Sequence, residues 1–587
     1  MGQEFTPEQR RYIEGFTSGL QAGRLAGLPP AAAPAVEKPT GPDREHLEAM
    51  ARTEAAGKKL VDQEKWKRDE HPFDAYPRLR DQAEKNEHPK PADNFRWRYF
   101  GLFYLAPASP SYMCRLRIPN GILRHTQMRE MADISAKFAA GYAHVTTRAN
   151  LQLRDIEPKN ATNLIEAIQD IGLCSRGSGA DNIRNVTGDA TAGISSQELI
   201  DTRAYAREWH FHILNDRSLY GLPRKFNVAF DGGGPIPTLE ESNDIGFRAV
   251  RVLPGAPVEP GVYFRLMLGG ISGHKDLARD TGIILPLRDA TKVADAIIRV
   301  FIDNGNRTNR AKARMKYVLD DWGYDKYLAA VEDKLGHPLA RVAPEFVEAR
   351  PAQDRSAHLG VQPQKQAGLN WIGVWTPVGK MEGEQMRAIA DVAQTFGDGD
   401  IRLTVWQNLL ISGVPDAKTQ DAVAALAKAG LTTQPTHLEA GLIACTGQTG
   451  CKFGNAKTKE IAHAINDYCA PRVTLDLPVN IHVTGCPNSC AQHYIGDIGL
   501  IGARVPVGDE GDTADGYNFV IGGGFGNDNA KIGRDYAQNV LAEDAPAKVE
   551  RMLKAYLAGR AGPEESYQAW TERHDIESLA KAEEAVA

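Results

Sequence analysis

Four of the seven cysteines in this chain of 587 residues lie in two short loops. Cys445 and Cys451 stand in ACTGQTGCKFGNAKTK, and Cys486 and Cys490 stand in TGCPNSCAQHYIGDIG. Thiolates at this loose spacing suit the corners of an iron–sulfur cube, whereas zinc sites usually have more closely spaced cysteine pairs. A zinc site and four unrelated buried thiols are the alternatives, although loops rich in Gly, Thr, Pro and Asn are not typical of a core. We therefore predict an iron–sulfur site.

The chain around the second pair indicates how its thiols would be activated. NIHVT (480–484) predicts a strand, GCPNS a turn and CAQHY the first turn of a helix. At a helix start, Cys490 would face unpaired amide N–H groups and a positive helix end, which favour thiolate over thiol. Cys114, Cys174 and Cys469 stand alone and are interpreted as ordinary buried residues, with a role as spare ligand as the alternative for Cys469.

Composition and net charge narrow the class of protein. Charged residues make up 25% of the chain and hydrophobic residues 42%, and no apolar run of about 18 residues could span a membrane. The start, MGQEFTPEQRRYIEGF, lacks the apolar stretch of a signal peptide, which predicts a cytoplasmic protein. The net charge of −6 argues against broad nucleic-acid binding. The length predicts more than one domain.

An internal repeat organises the chain. Gln127-Met128-Arg129 recurs 258 positions later as Gln385-Met386-Arg387, and Ala132-Asp133 recurs at the same offset as Ala390-Asp391. Each copy reads as a β-α-β-β-α unit whose second helix ends near a glycine, Gly172 or Gly430, that suits a helix C-cap. The prediction is an α+β (mixed α/β) fold with a pseudo-twofold pair of ferredoxin-like half-domains and a cofactor at their junction.

The repeat sets the predicted domain boundaries. The half-domains are expected at 96–174 and 360–435, each followed by a larger α/β domain, at 175–345 and 436–580. Residues 1–95 are polar and predict an N-terminal arm that wraps the fold. This arm would contain an amphipathic helix over about 7–22, a Pro/Ala-rich linker and a charged helical segment over about 43–70.

The cysteine motifs ACTG-x3-C and TGCPNSC, followed by DIGLIG, resemble the signature of the sirohaem nitrite and sulfite reductase family. The resemblance extends from about residue 95 to 580 and includes the repeat. In that family four cysteines hold a [4Fe-4S] cluster, and the last one also ligates the sirohaem iron. The resemblance therefore implies that Cys445, Cys451, Cys486 and Cys490 hold the cluster, with Cys490 also axial to the sirohaem iron. It assigns sirohaem and an anion pocket to 175–345, and cofactor ligation to 436–580.

The resemblance also implies roles for basic and amide side chains. The anion pocket would be lined by Arg115 in MCRLRIPNG, Arg184 in DNIRN and Lys225 in LPRKF. Cofactor contacts would come from Arg148 and Gln152 in TTRANLQLR, Arg310 and Arg314 in RTNRAKARMK, and Gln407 and Asn408 in TVWQN. In the second copy, Gly373 and Trp375 stand where the first copy has Arg115 and Arg117, so the two copies have diverged in charge.

The residue two positions beyond the pocket lysine bears on the substrate. Family members that act on sulfite resemble K-x-K there, and those that act on nitrite resemble K-x-N; LPRKFN places Asn227 at this position. A neutral amide suits nitrite, which carries less charge than sulfite. We therefore predict an assimilatory nitrite reductase that forms ammonium, with Asn227 in the catalytic pocket. Assimilatory sulfite reductase is the alternative.

The source of electrons is predicted to be another protein. GGGP (232–235) and GGGFG (522–526) lack the spacing and the following helix of a dinucleotide-binding fingerprint. The resemblance implies ferredoxin as donor, with flavodoxin or a flavoprotein reductase as alternatives, and we expect a monomer. A rival class is a non-catalytic [4Fe-4S] electron-transfer protein. Pocket cations kept in one repeat copy argue against that class, because a bare cluster does not need them.

Overall fold

A computed structural model describes residues 39–508, 511–526 and 529–586, together with Thr6, Arg11 and Glu14. The helix predicted over about 7–22 and most of the Pro/Ala-rich linker lie outside the described residues. Within the described ranges, no helix has both the length and the apolar character needed to cross a membrane.

Between residue 39 and the repeat, the structure describes four short α-helices. They are α1 (Arg44–Ala55), α2 (Asp62–Asp69), α3 (Tyr76–Glu84) and α4 (Pro91–Trp97). The charged segment predicted as helical over about 43–70 is thus two helices with a break between them. Leu79 and Trp97 pack into the core of the half-domains, whereas Phe95 packs into the core of the following domain. These helices therefore cover both units.

The first copy of the repeat forms the predicted β-α-β-β-α unit with two additional strands before its first helix. Its elements are β1 (Leu102–Tyr104), β2 (Tyr112–Arg115), β3 (Ile122–Arg124), α5 (His125–Phe138), β4 (Tyr142–Val145), β5 (Leu151–Ile156) and α6 (Ala161–Asp170). After α6, Gly172 has a φ of 73°, a left-handed conformation that ends the helix as predicted.

The first large domain is a five-stranded sheet flanked by helices. Its elements are β6 (Thr187–Gly188), α7 (Arg203–Asn215), β7 (Val228–Asp231), β8 (Ile245–Val252), β9 (Gly261–Leu268), β10 (Arg279–Leu285), α8 (Ala290–Asn304), α9 (Met315–Trp322) and α10 (Tyr324–Leu335). The strand order is β10-β9-β8-β7-β6. Strands β6, β7 and β8 are parallel, while β9 and β10 are antiparallel to their neighbours.

The second copy of the repeat follows. Its elements are β11 (Gly360–Pro363), β12 (Leu369–Val374), β13 (Lys380–Glu382), α11 (Gly383–Phe396), β14 (Asp400–Leu403), β15 (Leu409–Pro415) and α12 (Thr419–Lys428). Gly430, with a φ of 72°, follows α12 as Gly172 follows α6.

The second large domain repeats the topology of the first. Its elements are α13 (His437–Gly441), β16 (Leu442–Ala444), α14 (Lys459–Cys469), β17 (Ile481–Thr484), β18 (Ile498–Pro506), β19 (Thr513–Ile521), β20 (Arg534–Leu541), α15 (Ala545–Gly559), α16 (Tyr567–Glu572) and α17 (Ile576–Glu584). Strands β16, β17 and β18 are parallel, and β19 and β20 are antiparallel. The α+β class and the paired half-domains agree with the prediction.

The two half-domains exchange a strand, which was not predicted. The first sheet has the order β1-β2-β5-β4-β13, and the second has the order β11-β12-β15-β14-β3. Each sheet is therefore completed by the short strand of the other copy, and the two halves form one structural unit.

The repeated glutamine caps a helix in both copies. Gln127 Oε1 accepts a hydrogen bond of 2.9 Å from the backbone N–H of Arg124, and Gln385 Oε1 accepts one of 3.0 Å from Glu382. These contacts satisfy backbone donors at the starts of α5 and α11.

The repeated arginine and aspartate join the two helices reciprocally. Arg129 pairs with Asp391 at 2.5 Å, and Arg387 pairs with Asp133 at 2.5 Å. These pairs are exposed, so each contributes little to stability. Their main consequence is a matched register between α5 and α11.

Candidate active site

The four clustered cysteines lie where two parallel strands end. β16 ends one residue before Cys445, and β17 ends two residues before Cys486. Because adjacent parallel strands end at the same edge of a sheet, the two loops meet. The Gly485 backbone N–H donates to Cys445 Sγ at 3.3 Å, and Asn488 Nδ2 donates to Cys486 Sγ at 3.5 Å. Such donors favour the thiolate form.

The thiols are free, and burial would keep those of Cys445 and Cys486 protonated without a bound cation. None of the seven cysteines forms a disulfide. Burial raises the pKa of Cys445, and negative charge at Cys490 and Cys486 raises it further. Burial also raises the pKa of Cys486. Metal binding would therefore displace protons from these sulfurs.

The separation of the sulfurs distinguishes a cluster from a single ion. In the part of the chain that the structure describes, no three cysteine sulfurs lie within 4.8 Å of one another. Sulfurs bound to one tetrahedral zinc ion would be about 3.8 Å apart. The sulfurs are therefore not gathered closely enough for one tetrahedral ion, which disfavours the zinc alternative. Cys490 is exposed while the other three are buried or half-buried, so its sulfur is accessible to a second metal centre.

The segment after Cys490 is not the predicted helix. Residues 485–497 form successive turns, and Ser489 (φ 54°) and Gln492 (φ 58°) are left-handed, which a right-handed helix excludes. The glycines of DIGLIG make room for these turns, since a Cβ on Gly499 would lie 2.1 Å from the His493 oxygen. The prediction that a helix end activates Cys490 is therefore wrong.

The first half-domain brings a positive charge to Cys490. Thr147 Oγ1 donates to the Cys490 backbone oxygen at 2.9 Å, which holds the loop that carries Arg148. Arg148 Nη1 donates to Asn243 Oδ1 at 2.6 Å. Burial and the neighbouring Arg314 lower the pKa of Arg148 to about 10.

The three predicted anion-pocket residues gather near Arg148 and Cys490. The guanidinium of Arg115 stacks on Phe103 at 4.9 Å, and its pKa is lowered by burial and raised in part by charge at Cys490. Arg184 Nη1 and Nη2 each donate to a backbone oxygen at 2.7 Å, while its buried Nε has no partner. Burial, followed by the charge of Arg314, lowers the pKa of Lys225 well below its usual range.

These cations lack counterions. Among the described residues, none of Arg115, Arg148, Arg184 and Lys225 forms an ion pair, and Lys225 forms no hydrogen bond either. Arg184 is buried and the other three are half-buried. Cations partly withdrawn from water without a partner are costly, so the arrangement calls for bound negative charge. Carboxylates of a tetrapyrrole and a small oxyanion would supply that charge. The residues therefore fit sirohaem as well as the cluster.

Three other predicted residues are already engaged within the protein. Arg310 forms a two-pronged pair with Asp181 at 2.5 and 2.7 Å, and Arg314 pairs with Asp244 at 2.6 Å. Asn227 is 3% exposed, with its backbone N–H 2.9 Å and its Nδ2 3.3 Å from Asp244 Oδ2. Asn227 thus lies close to the cationic pocket, because Asn227 and Arg314 both donate to the Asp244 carboxylate.

The three amides predicted to contact the cofactor also form hydrogen bonds within the protein. Gln407 Nε2 donates to the Ala444 oxygen at 2.9 Å, and its Oε1 accepts from the Ala444 N–H at 3.0 Å. Asn408 Oδ1 accepts from the Thr376 N–H at 2.9 Å. Gln152 Oε1 accepts from Arg154 at 3.1 Å. The buried Gln407 therefore anchors the strand that leads into Cys445.

Two family descriptions match most of the chain. Residues 179–339 and 440–582 match the nitrite and sulphite reductase 4Fe-4S domain, and residues 107–171 and 362–429 match the nitrite/sulfite reductase ferredoxin-like half domain. The chain belongs to the nitrite and sulphite reductase family. The predicted pairing of a [4Fe-4S] cluster with sirohaem is confirmed as that of the family.

Relatives of this reductase carry both kinds of name. The ferredoxin–nitrite reductase of Synechococcus elongatus is 34% identical over 470 residues, covering 78% of this chain and 88% of the relative. The chloroplastic ferredoxin–nitrite reductase of Spinacia oleracea is 31% identical, with 81% and 80% covered. Sulfite reductase [ferredoxin] 2 of Mycolicibacterium paratuberculosis is 33% identical, with 80% and 83% covered. The structure of Mycobacterium tuberculosis NirA superposes with a TM-score of 0.81 at 29% identity, covering 89% of this chain and 98% of NirA.

One residue that contacts the cluster loop was missed from the sequence. The reductase buries Arg154, the last residue of TTRANLQLR, which donates to the Gly450 oxygen at 3.1 Å, to Thr446 Oγ1 and to His144 Nδ1 at 3.1 Å. Arg154 therefore ties the first half-domain to the loop between Cys445 and Cys451. The sequence did contain a signal for this residue. Arg154 lies two residues after Gln152 on the same strand, and residues i and i+2 of a strand share a face.

In the second half of the reductase, the positions that correspond to Arg148 and Arg115 leave no space for a cationic site. Trp406 stands where the first copy has Arg148, and its ring packs on Phe525 at 4.5 Å and stacks on His358 at 6.0 Å. Gly373, at the position of Arg115, has no room for a side chain, since a Cβ there would lie 2.3 Å from the His358 oxygen. The divergence in charge between the copies thus leaves one cationic site in the described part of the chain.

Proposed function

We propose that this reductase converts nitrite to ammonium in a six-electron reaction at sirohaem coupled to a [4Fe-4S] cluster. The observation that carries the proposal is the group of four cations without counterions around the exposed Cys490. A protein that only transferred electrons through a cluster would have no use for this group, because unpaired cations that are buried or half-buried destabilise a fold unless a ligand compensates them.

The cofactors would be held by the four cysteines. Cys445, Cys451, Cys486 and Cys490 supply thiolates for the cluster, and Cys490 also supplies the sulfur ligand of the sirohaem iron. Arg148 is placed to pair with a cofactor carboxylate beside Cys490. When bound, the cofactor pair supplies the electrons for reduction.

The substrate would be held by Arg115, Arg184 and Lys225. Two guanidinium groups can donate to the two oxygens of nitrite and hold it in one orientation. Because these donors lie out of bulk water, their attraction for developing negative charge is stronger than at an exposed surface.

Lys225 is the proposed proton donor. Its lowered pKa makes the ammonium group a stronger acid than an ordinary lysine, and its Nζ is free of protein partners. Arginine holds its protons too tightly for this purpose. Lys225 would therefore give a proton to oxygen as each N–O bond breaks and be reprotonated from solvent.

Nitrite is the proposed substrate because of the charge around Asn227. Asp244 already pairs with Arg314 and accepts from Asn227. A lysine at position 227 would add a positive charge beside this pair, which would favour the more highly charged sulfite. Sulfite reduction is the second candidate, because one relative of similar identity is named a sulfite reductase.

Ferredoxin is the proposed electron donor. Lys452 and Phe453 directly follow Cys451 and are exposed, and Phe453 is 55% exposed. Within the described ranges, neither Lys452 nor Lys457 forms an ion pair. A basic and aromatic surface next to a cluster ligand suits an acidic electron-transfer protein.

The absorption spectrum of the purified protein tests the cofactor assignment. We expect a Soret band and a red-region band that shift when nitrite is added, together with the electron paramagnetic resonance signal of a reduced [4Fe-4S] cluster. A protein that shows a cluster signal but no Soret band would favour the electron-transfer alternative.

A further inference from the structure

Three charged side chains outside the anion pocket are completely withdrawn from solvent. Glu64 and Lys67 lie on α2, and Arg307 follows α8; their exposures are 0%, 2% and 2%. Lys67 Nζ pairs with Glu64 at 2.6 Å, and Arg307 Nη1 pairs with the same carboxylate at 2.5 Å. Buried ion pairs cost desolvation and seldom add net stability, so their presence calls for a reason other than stability. The family matches begin only at residue 107, beyond α2.

The buried triad holds the backbone of the loop that leads to Lys225. Lys67 Nζ donates to the Leu222 oxygen at 2.8 Å, and Arg307 Nη2 donates to the Gly221 oxygen at 2.9 Å. The loop also fits closely against α1, because a Cβ on Gly221 would lie 2.3 Å from His46 Nδ1. Two consecutive carbonyl groups, three and four residues before Lys225, are thus fixed by charged side chains.

The same lysine approaches the second segment of the pocket. Lys67 Nζ lies 3.9 Å from Asp181 Oδ2, and Asp181 begins the DNIRN stretch that carries Arg184. This stretch pairs with the far side of the lysine loop, where the Phe226 N–H donates to the Asn182 oxygen at 3.0 Å. Lys225 itself has no side-chain partner among the described residues, so its position depends on the backbone on either side of it.

We infer that Lys67 is a positioning residue for Lys225, acting with Glu64 and Arg307 through the backbone of Gly221 and Leu222. The inference rests on the proposed function of Lys225. This role would make α2, which precedes both family-matched regions, part of the structure that positions the anion-pocket residues. The charge matters because an ionised donor holds a buried carbonyl more firmly than a neutral donor does.

The test compares Lys67→Met with Lys65→Met in the full, cofactor-loaded chain. Lys65 lies on the same helix, but it is partly exposed and pairs only with Asp62 at 3.1 Å. Two quantities are measured: the dissociation constant for nitrite, from the Soret shift, and the hydrogen exchange of a peptide spanning residues 221–227. We expect Lys67→Met to weaken nitrite binding about ten-fold and to speed exchange in that peptide, with cofactor spectra unchanged. Lys65→Met should match the wild type in both.

Arg307→Lys is the second variant. It provides the deciding result in case Lys67→Met does not fold. It keeps the charge opposite Glu64, but one ammonium group cannot reproduce both guanidinium contacts. Faster exchange over 221–227 with weaker nitrite binding supports the inference. Unchanged nitrite binding in a folded, loaded variant overturns it, whether or not exchange changes. If the wild type does not reduce nitrite, the proposed function is wrong. Independently of that result, unchanged exchange over 221–227 in the variants would show that the triad does not support the loop.

Discussion

Thr147 Oγ1 donates a hydrogen bond of 2.9 Å to the backbone oxygen of Cys490, across 343 residues of sequence. This contact joins the first half-domain to the last cysteine of the second large domain and places Arg148 beside that cysteine. The equivalent position of Arg148 in the second copy holds Trp406, packed in an aromatic core. The described residues therefore contain one such cationic site, because the first copy of the repeat contributes Arg148 at this position and the second contributes Trp406.

Replacing Cys490 with serine should disturb both cofactors at once. The exposed sulfur is proposed to serve the cluster and the sirohaem iron together, and a hydroxyl is a poor substitute for a thiolate in both. The Soret band and the cluster signal should therefore both weaken. Cys469→Ser is the matched control, because Cys469 is buried in α14 and donates to the Pro546 oxygen. A Cys490→Ser protein with both signals normal would refute the bridging role.

Replacing Lys225 with methionine should lower nitrite turnover about 100-fold while leaving the Soret band intact, because a half-buried donor is lost and no cofactor ligand is touched. Lys312→Met, in the exposed part of the basic run, should retain activity. Wild-type turnover by the Lys225 variant would remove this residue from the mechanism.

The pH profile of kcat/KM should report the titration of Lys225. Burial lowers its pKa, so the ammonium group loses its proton as pH rises through a value below the usual lysine range, and activity should fall there. Lys225→Arg stays protonated, so its profile should lose this alkaline limb even if its rate is low. An identical alkaline limb in both proteins would assign it to another group.

Replacing Asn227 with lysine should shift preference toward sulfite. The added charge lies beside Asp244 and Arg314, and we expect the ratio of kcat/KM for sulfite to that for nitrite to rise about ten-fold. Asn227→Gln keeps the site neutral and should change the ratio less. Equal ratios in both variants would show that charge at this position does not set specificity.

Replacing Phe453 with alanine should slow turnover with reduced ferredoxin and leave turnover with a small reduced dye unchanged. The aromatic ring would lie in the docking surface, whereas a dye needs no docking surface. Phe211→Ala is the control, since Phe211 on α7 is similarly exposed, at 52%. Equal losses with both donors would place the effect in the cluster itself.

Local patterns predicted much of the fold and the type of metal cofactor. The Gln-Met-Arg repeat marks helices that are capped and paired in the same way in both copies, so its offset located both half-domains. The loose cysteine spacing pointed to a cluster because it reflects the size of the metal group.

Features that depend on distant contacts were not predictable from the sequence. The exchange of β3 and β13 leaves each copy with an ordinary strand pattern, so nothing local distinguishes a strand that stays from one that crosses. The turns after Cys490 were mistaken for a helix because Ser489 and Gln492 are left-handed, a conformation that their residue types do not signal. The ion pair of Arg310 with Asp181 was also not predictable, because the two residues lie 129 positions apart in the sequence.

The most direct test is a comparison of nitrite and sulfite as substrates of the loaded enzyme with the same reduced dye, in which ammonium and sulfide are quantified against dye oxidised. The account predicts ammonium as the product from nitrite, with six electrons consumed per molecule and a higher kcat/KM than for sulfite. A higher kcat/KM for sulfite, or nitrite consumption without ammonium, would contradict it.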